Sequence, residues 1–430
     1  MAGNAAVKLR LMLLVALGAL PIAFAACDRG QSPIVLRFWA MGRESEVLAE
    51  LLPDFELSHP GIRIRVEQLP WTAAHAKLLT AVAGDATPDL CELGNTWIPE
   101  LVALKALAPL DARIAASTGV ARSDYFPGIW ATNVIGTSTF GVPWYVDTRL
   151  LFYRADLIRE AGFPDPPRSW PEWEHVLAAV VAHGHGERYA ILLPLDEFEP
   201  LLALALQQSE PLLTSDGVRA NFTSPDFERT LAFYVGMFRQ GYAPRASSSQ
   251  ISNVWTEFGR GYFAFYISGP WNIGEFQRRL PAELAGQWMT APLPGPDGPG
   301  ASIAGGASLA VFRKSEHQAA AWQLIEYLSQ PAVQRRFHAL TGDLPPRRSA
   351  WESPELAGDA YARAFRDQLE RAKPVPQVPE WERIVQEMRL AAERVVLGRL
   401  SVHEGAVELN ATADRILAKR RELAAEGAKL

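Results

Sequence analysis

Residues 62–67 read Ile-Arg-Ile-Arg-Val-Glu, apolar and charged in strict alternation. That period of two marks a strand with one buried face and one wet face. Upstream, Val47, Leu48, Leu51, Leu52 and Phe55 recur at helical spacing despite Pro53, and Ile34 to Trp39 has the character of a strand. Downstream, a helix is expected over Ala73–Ala83, then a strand in Pro88-Asp89-Leu90-Cys91-Glu92-Leu93. Strand, helix, strand, helix, strand is the order of an α/β unit built on a largely parallel sheet.

The chain has 430 residues, more than one ordinary core fills, so two lobes are expected. A second mixed unit follows the first. Phe140 to Tyr145 reads as extended, with Pro143 inside it, and Leu150 to Phe152 as another extended segment. Helices are expected near Arg154–Ala161 and Trp170–His183. Thr223-Ser224-Pro225 has the cap and first-turn proline of a helix that runs to Gln240, and Tyr262 to Ile267 reads as a strand. The Pro/Gly-rich run Leu293 to Pro299 marks a connector, placed as a second crossing between lobes. Leu309 to Phe312 then returns as a strand. Ser315 with Gln318 three residues later has capping-box spacing, and from Pro354 the chain is mostly helical. No repeat of 20–50 residues is visible.

Net charge is −6, which disfavours a nucleic-acid binder, since such a protein carries a basic face. The first 26 residues differ from the rest. Lys8 and Arg10 precede an uncharged run from Leu11 to Ala26, and Phe24-Ala25-Ala26 stands before Cys27. This is the pattern of a cleaved signal peptide. It resembles the lipobox of bacterial lipoproteins, with Phe24 in place of the usual Leu. That resemblance implies lipidation at Cys27, and Asp28 resembles an inner-membrane retention signal. Cys91 then remains as a thiol in an apolar run, expected to be buried and inert.

The sequence has no HExxH, CxxC, GxSxG or phosphate-cradling motif. His183-Gly184-His185 lacks acidic neighbours at metal-ligand spacing and reads as a loop. No metal, cofactor or catalytic residue is assigned. Aromatic and polar residues instead gather at segment ends: Trp71; Asn95-Thr96-Trp97; Trp144-Tyr145 with Asp147; Trp271-Asn272; and Gly305-Gly306. Ligands of α/β units bind beyond the carboxyl ends of strands. Thirteen tryptophans are many for this length. Flat apolar rings beside carboxylates and amides suit a sugar, whose C–H faces stack and whose hydroxyls hydrogen-bond.

These stretches also carry a family likeness. PDLCELGNTWIPEL (88–101), GVPWYVDTRLLFYRADLIREAGF (141–163), SWPEWEHVLAAV (169–180), FGRGYFAFYISGPWNIGEF (258–276), the return segment from Gly305 to Phe337 and TGDLPPRRSAW (341–351) resemble, in order and spacing, the family 1 extracellular solute-binding proteins of ABC sugar importers. The resemblance covers nearly all the chain after Cys27. It implies an α/β, two-lobed periplasmic-binding-protein fold of type II, with crossing hinge segments and ligand in the cleft between lobes that close on it. The implied division is 1–26 signal peptide, 27–33 lipidated tether, 34–143 and 301–345 first lobe, 144–300 and 346–430 second lobe.

Carried over position by position, the resemblance implies ligand contacts from Glu44 or Glu46 after the first strand, with Glu44 favoured. It adds Trp71 and His75 as lining residues, and Trp97 stays a candidate from its place after the third strand. Asn95 stands where maltose- and trehalose-binding relatives often carry Asp. Tyr145 with Asp147 resembles the aromatic–carboxylate pair at the hinge, and Trp271 resembles the stacking Trp of the second lobe, with Asn272 beside it a candidate from its place at a segment end. Gly305 and Gly306 form a close-approach point, and Arg347 or Arg348 a late basic contact. The implied partners are a small neutral sugar, such as trehalose or maltose, and membrane permease subunits. The protein is expected to be a monomer, lipid-anchored on the periplasmic side of the inner membrane or on the extracytoplasmic surface. Another oligosaccharide or a glycerophosphodiester is the alternative ligand, and a secreted glycosidase is the alternative of another class.

Overall fold

The computed structural model describes residues 33–251 and 253–426. The expected signal peptide, Cys27 and the tether as far as residue 32 lie outside the described residues. Nine strands make the two principal sheets: β1 Ile34–Met41, β2 Ile62–Leu69, β3 Leu90–Gly94, β4 Val142–Asp147, β5 Leu150–Arg154, β6 Tyr189–Leu192, β7 Phe263–Ser268, β8 Trp288–Ala291 and β9 Gly305–Val311. The first sheet has the order β2-β1-β3-β9-β4, the second β8-β5-β7-β6. Strands β1, β2 and β3 are parallel, whereas β9 runs antiparallel to both of its neighbours.

The burial of each strand follows from its place. β2 is an edge strand, so its Ile-Arg-Ile-Arg alternation survives as apolar-in and charge-out. β3 is central and buried from Leu90 to Leu93, including the carboxylate of Glu92. The helix Gly42–Ser58 lays Val47, Leu48, Leu51, Leu52 and Phe55 on the sheet while Pro53 faces outward. Each of these fully buried side chains contributes about 1.5–3 kcal/mol.

Pro143 fits because β4 is an edge strand carrying a bulge. β9 pairs Ala307 with Tyr145 and Ser308 with Pro143, so Trp144 is the extra residue. β4 stays in the first sheet through Asp147. The first crossing therefore falls between Asp147 and Leu150, four residues beyond the 143/144 boundary expected from sequence. The chain leaves the second sheet at Ala291 and re-enters the first at Gly305. That return strand begins earlier than Leu309, because two glycines with low strand propensity open it.

Local signals mostly translate directly. Ser224 caps the helix Pro225–Arg239 by accepting from the Phe227 amide at 3.2 Å. The capping box expected at Ser315 does not form. The helix starts at Gln318, and the Ser315 hydroxyl donates to Asp89 Oδ1 at 2.6 Å instead.

The first-lobe core centres on Leu48, Phe55, Val142 and Trp322. In the second lobe, Trp173, Phe265 and Leu231 share one core with Trp381, Met388 and Leu409 of the C-terminal helices. A further cluster, with Phe126, Val146, Phe152, Trp351 and Phe365, spans the junction. No helix among the described residues is long and apolar enough to cross a membrane.

Candidate functional site

Nine of the thirteen tryptophans are buried in the cores, so most of that compositional excess is packing. Trp71, Trp97, Trp255 and Trp271 retain exposed surface. Trp71 opens the helix Trp71–Ala83 after β2, and Trp97 closes the single turn Asn95–Trp97 that follows β3. Parallel strands end on one edge of the sheet, so the two rings meet there, with centroids 5.5 Å apart. His75 stacks on Trp97 at 5.2 Å, and its Nε2 lies 2.8 Å from Glu100 Oε2. In the second lobe, Trp271 opens the helix Trp271–Arg279 just after β7. Trp255 stands beside it, with its indole N–H donating to Asn272 Oδ1 at 2.9 Å.

A line of carboxylates connects these two walls. Glu44, half-buried in the first turn after β1, shares its surroundings with Trp71: a Cβ on Gly42 would lie 3.0 Å from Glu44 Oε2 and 3.3 Å from the indole. Glu44 also reaches the carboxyl of Asp343. Burial, and then Glu44, hold Asp343 well above the usual carboxylate range. A second acid this close makes ionising Asp343 costly. Glu92, raised first by burial and then by Glu44, accepts from the Tyr145 hydroxyl and from the Met41 amide, each at 2.7 Å. Asp147 follows, raised by burial and by Glu199 against the lowering effect of Arg149. The Arg149 guanidinium lies 3.5 Å from Asp147, 3.0 Å from Glu199 and 4.7 Å from the centre of the Trp271 ring. The line thus runs from Trp71 in one lobe to Trp271 in the other.

The model for "Bacterial extracellular solute-binding protein" matches residues 50–364. The chain belongs to the bacterial extracellular solute-binding proteins. Such a member works outside the cytoplasm, and the two sheets match the two-lobed fold of its relatives. The sugar-binding protein MalE of Xanthomonas citri superposes with a TM-score of 0.89 at 56% identity, over 90% of this chain and 98% of that one. The diacetylchitobiose-binding protein DasA of Streptomyces coelicolor is 22% identical across 87% of this chain and 90% of its own. An uncharacterised lipoprotein of Streptomyces antibioticus is 27% identical across 87% and 86%.

Within this solute-binding protein the expected site residues divide. Trp71, His75, Trp97, Glu44, Asp147 and Trp271 fall on the two walls and the line between them. Glu46 is exposed and meets Gln68. Asn95 is buried, accepts from Ser308 at 2.9 Å and leaves its own amide N–H donors without a partner.

Tyr145 is a core residue whose hydroxyl is committed to Glu92. Both ends of the Asn272 amide are committed too, to Trp255 and, at 2.6 Å, to Ser268. Gly305 and Gly306 answer to the adjacent strand, whose Asp147 and Tyr145 carbonyls a Cβ would overlap. Arg347 is buried against Asp124 and the carbonyls of Gly119 and Ser329, and Arg348 pairs with Glu370. Both guanidiniums are thus paired with carboxylates in this structure.

Arg149, Glu92, Asp343, Glu199 and Trp255 lie beside these residues without having been foreseen. A lone acid inside an apolar strand, as at Glu92, was the one local signal. Two crevices border the lobes. One, of about 800 Å³, runs between Val102 and Ile135 on one side and Pro211 and Val375 on the other, with no aromatic side chain in its lining. The other, of about 660 Å³, places His75 opposite Glu382 and Gln386.

Proposed function

We propose that this protein is the capture component of an ABC-type importer and that its ligand is a neutral di- or oligosaccharide, with an α-glucoside such as trehalose or maltose as the best candidate. The observation that carries this reading is the pairing of half-exposed indoles on both walls with an acidic line between them. Pyranose C–H faces stack on such rings, and carboxylates accept from hydroxyls. The Xanthomonas citri relative, a sugar-binding protein, supports it. A phosphodiester ligand would need uncommitted cations, yet Arg149, Arg347 and Arg348 are all paired with carboxylates.

Calorimetry over a panel of trehalose, maltose, maltotriose and glycerophosphocholine tests the proposal. Saturable heat with the sugars and no product supports it. Turnover of a disaccharide would replace it with the glycosidase reading. Trp271→Ala is expected to weaken sugar affinity by about 1–3 kcal/mol, or roughly 5- to 150-fold, through loss of an aromatic platform. Unchanged affinity would remove Trp271 from the site.

In this reading the protein acts as a monomer on the outer face of the cytoplasmic membrane, held by lipid on Cys27. The lobes are the sequence-defined division, with its first boundary moved past Asp147. Cys27→Ser is expected to free the protein from membranes, as seen by sedimentation. A variant that still pellets with membranes would end the lipid-anchor proposal.

A further inference from the structure

Arg149 sits at the intersection of both crossings. It lies between β4 and β5, and its carbonyl accepts from the Ser302 hydroxyl of the returning segment at 2.7 Å. Its side chain is only 15% exposed. The guanidinium is held from two directions, by Asp147 at the end of a first-lobe strand and by Glu199 at the start of a second-lobe helix. With its charge satisfied there, it lies over the Trp271 indole, Cζ being 4.7 Å from the ring centre.

The same ring is confined on another side. A Cβ on Gly269 would overlap the Cζ3 and Cη2 carbons of the indole, so the ring folds onto bare backbone at that point. Trp271 is at the first residue of its helix, where backbone constraint is weakest, and exposed indoles explore several rotamers. Two contacts, one a planar cation and one a missing side chain, therefore select its orientation. Arginine suits the task better than lysine, because its flat guanidinium both forks to carboxylates and stacks on a ring.

We propose that Arg149 is the positioning residue of the Trp271 platform: clamped by one carboxylate from each lobe, it fixes the indole in the orientation that receives the sugar. This rests on the reading of Trp271 as a sugar-stacking ring. The arrangement also makes the platform depend on the lobe junction, since Asp147 and Glu199 reach Arg149 from opposite sides of the crossing.

Two measurements on Arg149→Met test the proposal. The first needs no ligand. The near-ultraviolet circular dichroism owed to Trp271 is defined as the difference between wild type and Trp271→Phe. Arg149→Met is expected to lose most of that difference signal while far-ultraviolet signal is kept. The second is a cycle on sugar affinity. Arg149→Met is expected to weaken binding about tenfold in the wild-type background, and by less than about twofold when Trp271 is already Ala.

Equal losses in both backgrounds, or an unaltered Trp271 signal, would overturn the positioning role. If wild type binds no sugar in the panel, the functional reading fails, and the dichroism measurement still decides what Arg149 does to the ring. Should Arg149→Met not accumulate, Arg149→Lys serves both measurements. Lysine keeps a charge between Asp147 and Glu199 but not the flat stack, so it is expected to lose the Trp271 signal too, and a full signal overturns the proposal.

Discussion

Replacing Gly306 by alanine is expected to destabilise the first lobe by roughly 3–5 kcal/mol, with or without ligand. Gly306 has φ +120°, a region L side chains rarely adopt. A Cβ there would overlap the Tyr145 carbonyl oxygen and lie 2.9 Å from Val146 Cα and 3.0 Å from Asp147 N. These are backbone atoms of the neighbouring strand, so no side-chain rotation relieves the overlap. Strain at such a dihedral costs about 1–3 kcal/mol, and overpacking against fixed neighbours costs a similar amount.

The measurement is the urea midpoint of the sugar-free protein. A variant as stable as wild type but unable to bind sugar would assign the glycine to ligand contact, the role the family resemblance implied for it. Loss of stability in the absence of sugar assigns it to the β9–β4 ladder, next to the bulge at Trp144.

That contrast shows what a sequence makes visible. The α/β order was legible from β2, because an edge strand with one wet face keeps its alternation. The Pro/Gly-rich run Leu293–Pro299 falls between β8 and β9, where neither principal sheet holds the chain. The glycine pair was noticed, but its reason lies in a strand about 160 residues earlier, beyond the reach of local spacing. Tryptophan count behaved similarly: composition marked an excess without separating nine packed indoles from four with exposed surface. Arg347 and Arg348 looked available as cations until folding brought Asp124 and Glu370 to them. The acidic line was the least legible part. Glu44 and Asp343 are nearly 300 residues apart, and Arg149 becomes part of a site only where Asp147, Glu199 and Trp271 converge. The family match supports the architecture over residues 50–364, whereas the roles of single side chains depend on these long-range meetings.

Converging acids have a price in stability, and Glu197→Gln is expected to expose it. Burial, and then Glu199, push the Glu197 carboxyl from 4.5 up to about 7, while Arg149 and the Ser248 hydroxyl oppose the shift. In the unfolded chain the proton leaves above about 4.5; in the folded protein it stays until about 7. Between those values the folded state binds more protons, so stability falls as pH rises, and above about 7 the loss is complete. For this group the loss is on the order of 3 kcal/mol. Glutamine cannot ionise, and its amide oxygen can still accept from Ser248, which lies 3.2 Å from Glu197 Oε1. The variant is therefore expected to match wild type near pH 4.5 and to exceed its stability at pH 8 by about that amount. Urea midpoints at the two pH values check this. A variant-minus-wild-type difference that stays the same at both would mean that the Glu197 carboxyl binds its proton equally in the folded and unfolded protein, so that burial does not raise it. Glu92, Asp147 and Asp343 are raised in the same direction, so wild type should still lose stability toward alkaline pH after Glu197 is neutralised.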